Sequence, residues 1–338
     1  MLTERPRLLV LDDYEGRVGA APSMARLREL AEVTVLDRPL ASGDLTGLTD
    51  VRVLLTIRER TPLDAAFFDR FPHLELVLQT GGHAYHIDES AATARGVVVA
   101  LGRRARMPTR AVPELTFGLM LAVMRQIHPL AAQLSEGKWP ASVGRTLGGR
   151  TLGILGMGRH GRPVARIGAA FEMRVVAWDR GGPRAAADAA AERLPLDDLL
   201  AVSDVVSIHL RLSPESRGLL DRARLARMRP GAVLINTARG AIVDEDALVE
   251  ALRSGRLGGA GLDVFAVEPL PASSPLRTLP SVVLTPHIGW KVDDVFHEFA
   301  EIAADQLAAW LDGRLGAGEV LNPAAARLPR ERMGGLAS

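Results

Sequence analysis

The 338-residue chain contains no cysteine, which excludes disulfides, thiolate metal sites and cysteine nucleophiles. That absence fits a reducing compartment. Lysine is nearly missing too, occurring only at Lys138 and Lys291. The basic charge is carried by arginines that are scattered rather than clustered, a pattern of coding bias and not of a binding patch. Net charge is +1, so nothing calls for nucleic acid or an anionic membrane as partner. No run approaches the ~20 apolar residues of a membrane span, and the opening Met1-Leu-Thr-Glu-Arg-Pro-Arg7 is too polar for a signal peptide. A cytoplasmic protein is expected. No His/Asp/Glu cluster has ligand spacing, so no metal is expected.

What is present is an alternation of apolar strands and short helices. The length suits two domains of ordinary size, each burying its own core. Candidate strands in the first hundred residues are Leu8–Asp12, Glu32–Leu36, Val51–Ile57, Leu74–Gln79 and Val97–Ala100. Helical stretches near Ser23–Ala31, Leu63–Arg70 and Ile87–Arg95 lie between them. A long helix is expected from about Thr109 to Leu134, carrying Leu115, Leu119, Ala122, Val123, Ile127 and Leu130 at helical spacing. Strands then recur at Val205–Leu210, Ala232–Asn236, Gly259–Val264 and Val282–Thr285, with helices near Asp198, Asp221–Met228 and Asp244–Ser254. The loop Arg180-Gly-Gly-Pro183 breaks the chain, a last helix runs from Val292 to Leu311, and the tail from Pro323 is expected to be poorly ordered. The fold class is α/β, with two doubly wound parallel-sheet domains.

The chain is organised around Thr151-Leu-Gly-Ile-Leu-Gly-Met-Gly-Arg-His-Gly161, a strand, then Gly156-x-Gly158-x-x-Gly161, then a helix through Val164, Ile167 and Phe171. Gly156 permits the tight turn, Gly158 lets backbone approach a pyrophosphate, and Gly161 lets helix pack close on strand. The unpaired N–H groups at the helix start favour a diphosphate. The next strand, Arg174–Asp179, ends in an acid 18 residues past Gly161, close to the ~20 expected for a carboxylate that binds an adenosine ribose. Dinucleotide binding by Gly156, Met157, Gly158, Arg159, His160, Gly161 and Asp179 follows. Asp179 would repel a 2′-phosphate, which favours NAD over NADP. His160 stands where an apolar residue would usually pack the helix.

Three strand ends in the second half each present polar residues. Asn236-Thr237-Ala238-Arg239-Gly240 offers a guanidinium suited to grip a planar anion. Gly261-Leu-Asp263-Val-Phe-Ala-Val-Glu268-Pro269 offers two carboxylates, and Thr285-Pro-His287-Ile-Gly289 an imidazole. Singly, each is better read as structural. Together, Arg239, Glu268 and His287 supply what hydride transfer to a 2-oxo acid needs. The arginine holds the carboxylate and polarises the carbonyl. The imidazole exchanges a proton with the alkoxide, an effect worth ~10²–10⁴ in rate. The glutamate fixes the tautomer of the imidazole and favours its charged form.

These motifs, in this order, resemble the D-isomer-specific 2-hydroxyacid dehydrogenases, a group that includes phosphoglycerate dehydrogenases and glycerate and glyoxylate/hydroxypyruvate reductases. The resemblance runs from Leu8 to about Pro323. It implies that Arg239, Glu268 and His287 are catalytic, that Asp263 supports the nicotinamide carboxamide, and that Thr109, His209, Thr237 and Ala238 also line the cofactor. It further implies an NAD-binding Rossmann domain over 107–288, inserted into a flavodoxin-like catalytic domain made of 1–106 and 289–338, working as a homodimer. The first half departs from the family's carboxylate-binding loop. Where Arg-Ala-Gly-x-Gly-x-Asp-Asn-Ile-Asp is usual, this chain has Gln79-Thr-Gly81-Gly82-His83-Ala-Tyr85-His86-Ile-Asp88. Backbone N–H groups of Gly81, Gly82 and His83 remain suited to a carboxylate, while Gln79 replaces a charge. The His83 side chain reads equally as a substrate contact or a loop-packing group, Arg58 as a second anion ligand or a surface charge, and Trp290 as a wall of the substrate pocket or packing at the domain hinge. The expected function is NAD-dependent interconversion of a D-2-hydroxy acid and its 2-oxo acid. A rival reading is a dinucleotide-sensing corepressor-like protein, opposed by the complete catalytic set. Formate oxidation is opposed by Glu268, where the formate enzymes carry glutamine, and phosphite remains a weaker option.

Overall fold

The computed structural model describes residues 5–40, 47–180 and 191–325. The chain forms two compact units, Met1–Met107 with Val292–Ser338, and Pro108–Lys291.

In the first unit, strands β1 (Arg7–Leu11), β2 (Glu32–Val35), β3 (Val51–Thr56), β4 (Leu76–Gln79) and β5 (Val98–Leu101) alternate with helices α1 (Met24–Leu30), α2 (Ala65–Asp69) and α3 (Glu89–Ala94). The sheet order is β2-β1-β3-β4-β5, parallel throughout. This is the order of a flavodoxin-like doubly wound sheet. β4 and β5 are fully buried, as the uninterrupted apolar runs require. Asp64 and Asp88 begin α2 and α3 by accepting from Phe67 N and Ala91 N, caps worth ~1 kcal/mol each. One face of the sheet is closed by Phe67, Phe68 and Phe71 against Leu9, Leu54 and Val77.

The second unit begins with α4 (Pro108–Met124) and α5 (Ile127–Ser135). The single helix expected from Thr109 to Leu134 is therefore two, set 63° apart. The break is at Gln126, whose backbone is left-handed at φ 53°. Arg145 N takes the Met124 carbonyl, and Gln126 Nε2 donates to Val143 O, so a distant segment stabilises the break. There follow β6 (Thr151–Leu155), α6 (Gly161–Ala170), β7 (Arg174–Trp178), β8 (Glu192–Arg193), α7 (Leu196–Val202), β9 (Val205–Ile208), α8 (Arg222–Arg227), β10 (Ala232–Asn236), α9 (Glu245–Arg253), β11 (Leu257–Leu262) and β12 (Val282–Leu284). β8 is a short edge strand that the charged pair Glu192-Arg193 does not announce.

The seven strands run in the order β12-β11-β10-β9-β6-β7-β8. Chain direction across the sheet reverses at β6, which lies between β9 and β7, the switch point where ligands of such sheets bind. Alternate residues of β10 serve opposite cores. Val233 and Ile235 pack with Phe117 and Val164 of α4 and α6, and Leu234 packs with Leu199 and Leu248 of α7 and α9. The final helix α10 (Asp293–Leu311) belongs to the first unit, where Gln306 Nε2 donates to Leu101 O. Among the described residues no single helix is long and apolar enough to cross a membrane. The expected chain break at 181–183 and the tail beyond 325 lie outside the described residues.

Candidate functional site

The glycine turn follows β6 directly. Gly156 has φ 100°, and its N–H bonds to the Trp178 carbonyl. A Cβ there would come within 2.8 Å of His209 O and 2.9 Å of Leu210 Cδ2. At Gly161 a Cβ would overlap the Gly156 carbonyl itself, so α6 can start this close to the sheet only with glycine. Gly158 differs from both, for a Cβ there would meet nothing within 4 Å. Its side of the turn is exposed space beside the first N–H groups of α6. Met157 is buried, Arg159 is exposed, and His160, the residue before α6, is half-buried and does not cap the helix with its side chain. Met157 N donates to Asp179 Oδ1 at 2.8 Å, so the acid after β7 is tied to the turn.

His209 follows β9 immediately. Its N–H bonds to Leu155 O, and its Nε2 lies 2.8 Å from Ser207 Oγ. Burial, with a smaller contribution from nearby His160, pushes its titration down to about 3, so the ring is neutral beside the turn. Thr237, after β10, is buried, with its Oγ1 3.0 Å from Thr116 Oγ1 of α4. Thr109 lies in the first turn of α4, half-buried.

Arg239 is set by a tight turn. Asn236 Oδ1 accepts from Ala238 N, and its Nδ2 donates to Arg239 O. Gly240 then lies against the backbone of Phe265 and Ala266, where a Cβ would overlap main-chain atoms. This close approach brings the arginine turn to the loop that carries Glu268. Arg239 Nη1 bonds its neighbour's Ala238 O at 2.7 Å, and its charge acts on Glu268.

Glu268, preceding a cis proline, accepts from Phe265 N through Oε1 at 2.9 Å. Its Oε2 stands 2.6 Å from His287 Nδ1. Burial alone would raise the Glu268 carboxyl. The hydrogen bond and charge of His287, the Phe265 N–H and Arg239 together outweigh it and hold the carboxyl below its ordinary range. With Nδ1 committed to a carboxylate, the imidazole carries its proton there, and Nε2 is the nitrogen left to act on another molecule.

His287 itself has a left-handed backbone at φ 53°, held by bonds from its N–H to Asp263 O and Thr285 O. Asp263 is 1% exposed and organises this loop. Oδ1 takes Thr285 Oγ1 at 2.6 Å and Ile288 N at 2.8 Å, and Oδ2 takes Gly289 N at 2.8 Å. Burial raises its titration against the opposing pull of those bonds. Sequence reasoning did not show this clamp on the histidine loop. Trp290, next in the chain, is buried. The second unit thus brings together Arg239, Glu268 and His287 at the carboxyl ends of adjacent strands, with the glycine turn at the switch point of the same sheet.

In the first unit, Gly81 has φ 84° and packs under the guanidinium of Arg58. Arg58 N donates to Thr80 Oγ1 at 2.8 Å, and its side chain pairs with Glu59 at 3.5 Å. Gly82 and His83 continue the loop, with the His83 ring stacked on Tyr85 at 5.3 Å. Gln79 is not merely a lost charge. It is 1% exposed, accepts from Thr56 Oγ1, and its amide donates toward Arg58 O, Thr80 O and His83 O, tying both loops to the sheet. Among the described residues no group of three or more potential ligands is placed to hold a metal.

Comparison with known proteins bears on the family to which the chain belongs. Residues 117–289 match the model described as "D-isomer specific 2-hydroxyacid dehydrogenase, NAD binding domain". The chain is 41% identical over 273 residues to the D-3-phosphoglycerate dehydrogenase of Mycobacterium bovis, covering 80% of this chain and 51% of that one. It thus spans about half the length of those phosphoglycerate dehydrogenases. The glyoxylate reductase of Thermofilum pendens is 35% identical, with 89% of this chain and 92% of the relative covered. A solved structure from Ralstonia solanacearum superposes with TM-score 0.86 at 35% identity, over 95% of this chain and 98% of the other. Fold, ordered motifs and near-complete coverage of the shorter relatives converge, and the chain belongs to the D-isomer specific 2-hydroxyacid dehydrogenase family.

Proposed function

We propose that this protein is an NAD-dependent D-2-hydroxyacid dehydrogenase, interconverting a D-2-hydroxy acid and its 2-oxo acid. The observation that carries the reading is the 2.6 Å His287–Glu268 pair beside Arg239, on the sheet whose switch point holds the glycine turn. The unit Pro108–Lys291 is the cofactor domain in this reading, and the other unit binds substrate. The turn fits NAD. Gly158 leaves open the space a Cβ would fill, and the Asp179 carboxylate is tied to the turn by Met157 N. Gly156, Met157, Gly158, Arg159, His160, Gly161 and Asp179 would hold the dinucleotide, with Thr109, His209, Thr237, Ala238 and Asp263 around it. When bound, NADH supplies hydride to C2 of the oxo acid, and NAD takes it back in the reverse direction.

The chain's own part is positioning and proton transfer. Arg239 holds the substrate carboxylate and draws electron density from the carbonyl oxygen. His287 Nε2 delivers a proton to that oxygen as it becomes an alkoxide, and recovers it when the alcohol is oxidised. Glu268, ionised, keeps the imidazole in the productive tautomer and stabilises it when doubly protonated. Asp263 positions the loop through three hydrogen bonds. In the first unit, Arg58 and the N–H groups of Gly81–His83 are a second candidate anion-binding element; in the second unit, Trp290 is a further candidate substrate contact.

The assembly in this reading is a homodimer of cofactor domains. Helix α5 has no buried residue, and Ile127, Leu134, Trp139 and Val143 form an exposed apolar series, with Trp139 89% exposed. A second copy of this face would cover them. The test of function is NADH consumption over a panel of 2-oxo acids, from small to aromatic, with Arg239→Ala alongside. Turnover of one or more acids, falling by at least ~10³ in the variant, is expected. Intact turnover in Arg239→Ala would overturn the assignment.

A further inference from the structure

Asp179 does not stand alone at the end of β7. Its Oδ1 accepts from Met157 N at 2.8 Å, and its Oδ2 accepts from Arg193 Nη1 at 2.7 Å. Arg193 lies on the edge strand β8, in register opposite Ala177 of β7. Both side chains of the pair are substantially covered, 13% exposed for Arg193 and 21% for Asp179. The following residue, Arg180, is engaged by Ser213 Oγ at 2.7 Å and Glu215 Oε2 at 3.2 Å. Asp179 and the neighbouring Arg180 are thus each paired with a group of opposite charge, Arg193 and Glu215.

A solitary carboxylate at this place discriminates against a 2′-phosphate by like-charge repulsion. At a separation of roughly 5 Å, and with the screening usual near protein surfaces, that repulsion amounts to about 10²-fold in affinity. A carboxylate already joined to a guanidinium presents no such net field. The guanidinium also offers planar donors that match phosphate oxygens. We propose that Arg193 is a specificity-determining residue that relaxes the choice between the two nicotinamide dinucleotides, so that this site accepts the 2′-phosphorylated form as well as NAD. This rests on the dinucleotide reading given above. The sequence-based expectation of preference for NAD considered Asp179 without its partner.

The competing role for Arg193 is to orient Asp179 for the ribose hydroxyls, and the two roles separate experimentally. The dissociation constants of NADH and NADPH are measured by nicotinamide fluorescence on the full chain, for wild type, Arg193→Leu and Arg193→Lys. Wild type is expected to bind the two within about tenfold of each other. Arg193→Leu should weaken NADPH by about tenfold or more beyond any change for NADH, and Arg193→Lys should restore most of that loss. Preference of wild type for NADH by more than about 10²-fold, or equal weakening of both ligands in Arg193→Leu, overturns the proposal while leaving the NAD site intact. Failure of wild type to bind either nucleotide overturns both. Circular dichroism of each variant separates a folding defect from a binding one.

Discussion

Two alanine substitutions within one turn should have opposite consequences. At Gly156 the backbone has φ 100°, a conformation that L side chains rarely adopt, at a cost of ~1–3 kcal/mol. The added Cβ would also lie 2.8 Å from the main-chain oxygen of His209. Ordinary contact needs a retreat of roughly 0.6 Å by a backbone hydrogen-bonded to β6, an overpacking of ~1–3 kcal/mol. Gly156→Ala should therefore destabilise the second unit by about 2–6 kcal/mol, lowering its melting temperature by roughly 4–24 °C for a unit of this size. At Gly158 the same methyl meets nothing within 4 Å. Gly158→Ala should melt within ~2 °C of wild type, as surface substitutions do. It should nevertheless weaken NADH by about tenfold or more, because the methyl occupies the approach of a pyrophosphate to the backbone. Differential scanning fluorimetry and NADH fluorescence titration read the two effects separately. Wild-type NADH affinity in Gly158→Ala, or an unchanged melting temperature in Gly156→Ala, would refute the reasoning.

Glu268→Gln keeps the size of the side chain but removes the charge paired with His287 at 2.6 Å. It should lower kcat by ~10²-fold or more with little change in KM for the oxo acid, and a loss confined to KM would contradict its role. His209 contributes a pH dependence of stability. The unfolded chain protonates this residue below about 6.5, whereas the folded protein does so only near about 3, so the unfolded state binds more protons between those values. Stability should fall as pH drops through that window, by about 1.4 kcal/mol per unit at most. Thermal melts of His209→Asn should show a shallower slope there, and identical slopes would exclude the effect. Trp139→Asp in the exposed apolar series should convert a dimer to a monomer in light scattering, and a wild-type monomer would remove the proposed interface.

Much of the fold was legible because its signals are local. The strands appear as apolar runs, and Asp64, Asp88, Asp221 and Asp244, each a residue type that favours a helix start, cap the first turns of their helices. The ordered strand ends likewise led to Arg239, Glu268 and His287, which the structure brings together. What was hidden depends on distant partners. The break at Gln126 is the exception, since Pro129 announces it locally: it has no N–H for the Arg125 carbonyl four residues back, but apolar spacing that continues from Val123 to Ile127 and Leu130 masks the signal. The returning segment Val143–Arg145 then holds it, with Arg145 N donating to Met124 O and Gln126 Nε2 to Val143 O. Gln79 looked like a missing charge until its buried bonds to Thr56, Arg58, Thr80 and His83 were seen. The Asp179–Arg193 pair is invisible for the same reason, since a two-residue edge strand delivers the arginine.

The most direct test of the central claim follows one atom. Wild-type protein is incubated with NADH carrying deuterium at both C4 positions and the best 2-oxo acid of the panel, and the product is separated on a chiral column and weighed by mass spectrometry. The account predicts the D-2-hydroxy acid with deuterium at C2, and its loss in His287→Ala. An L-configured product, deuterium absent from C2, or undiminished product from His287→Ala would contradict it.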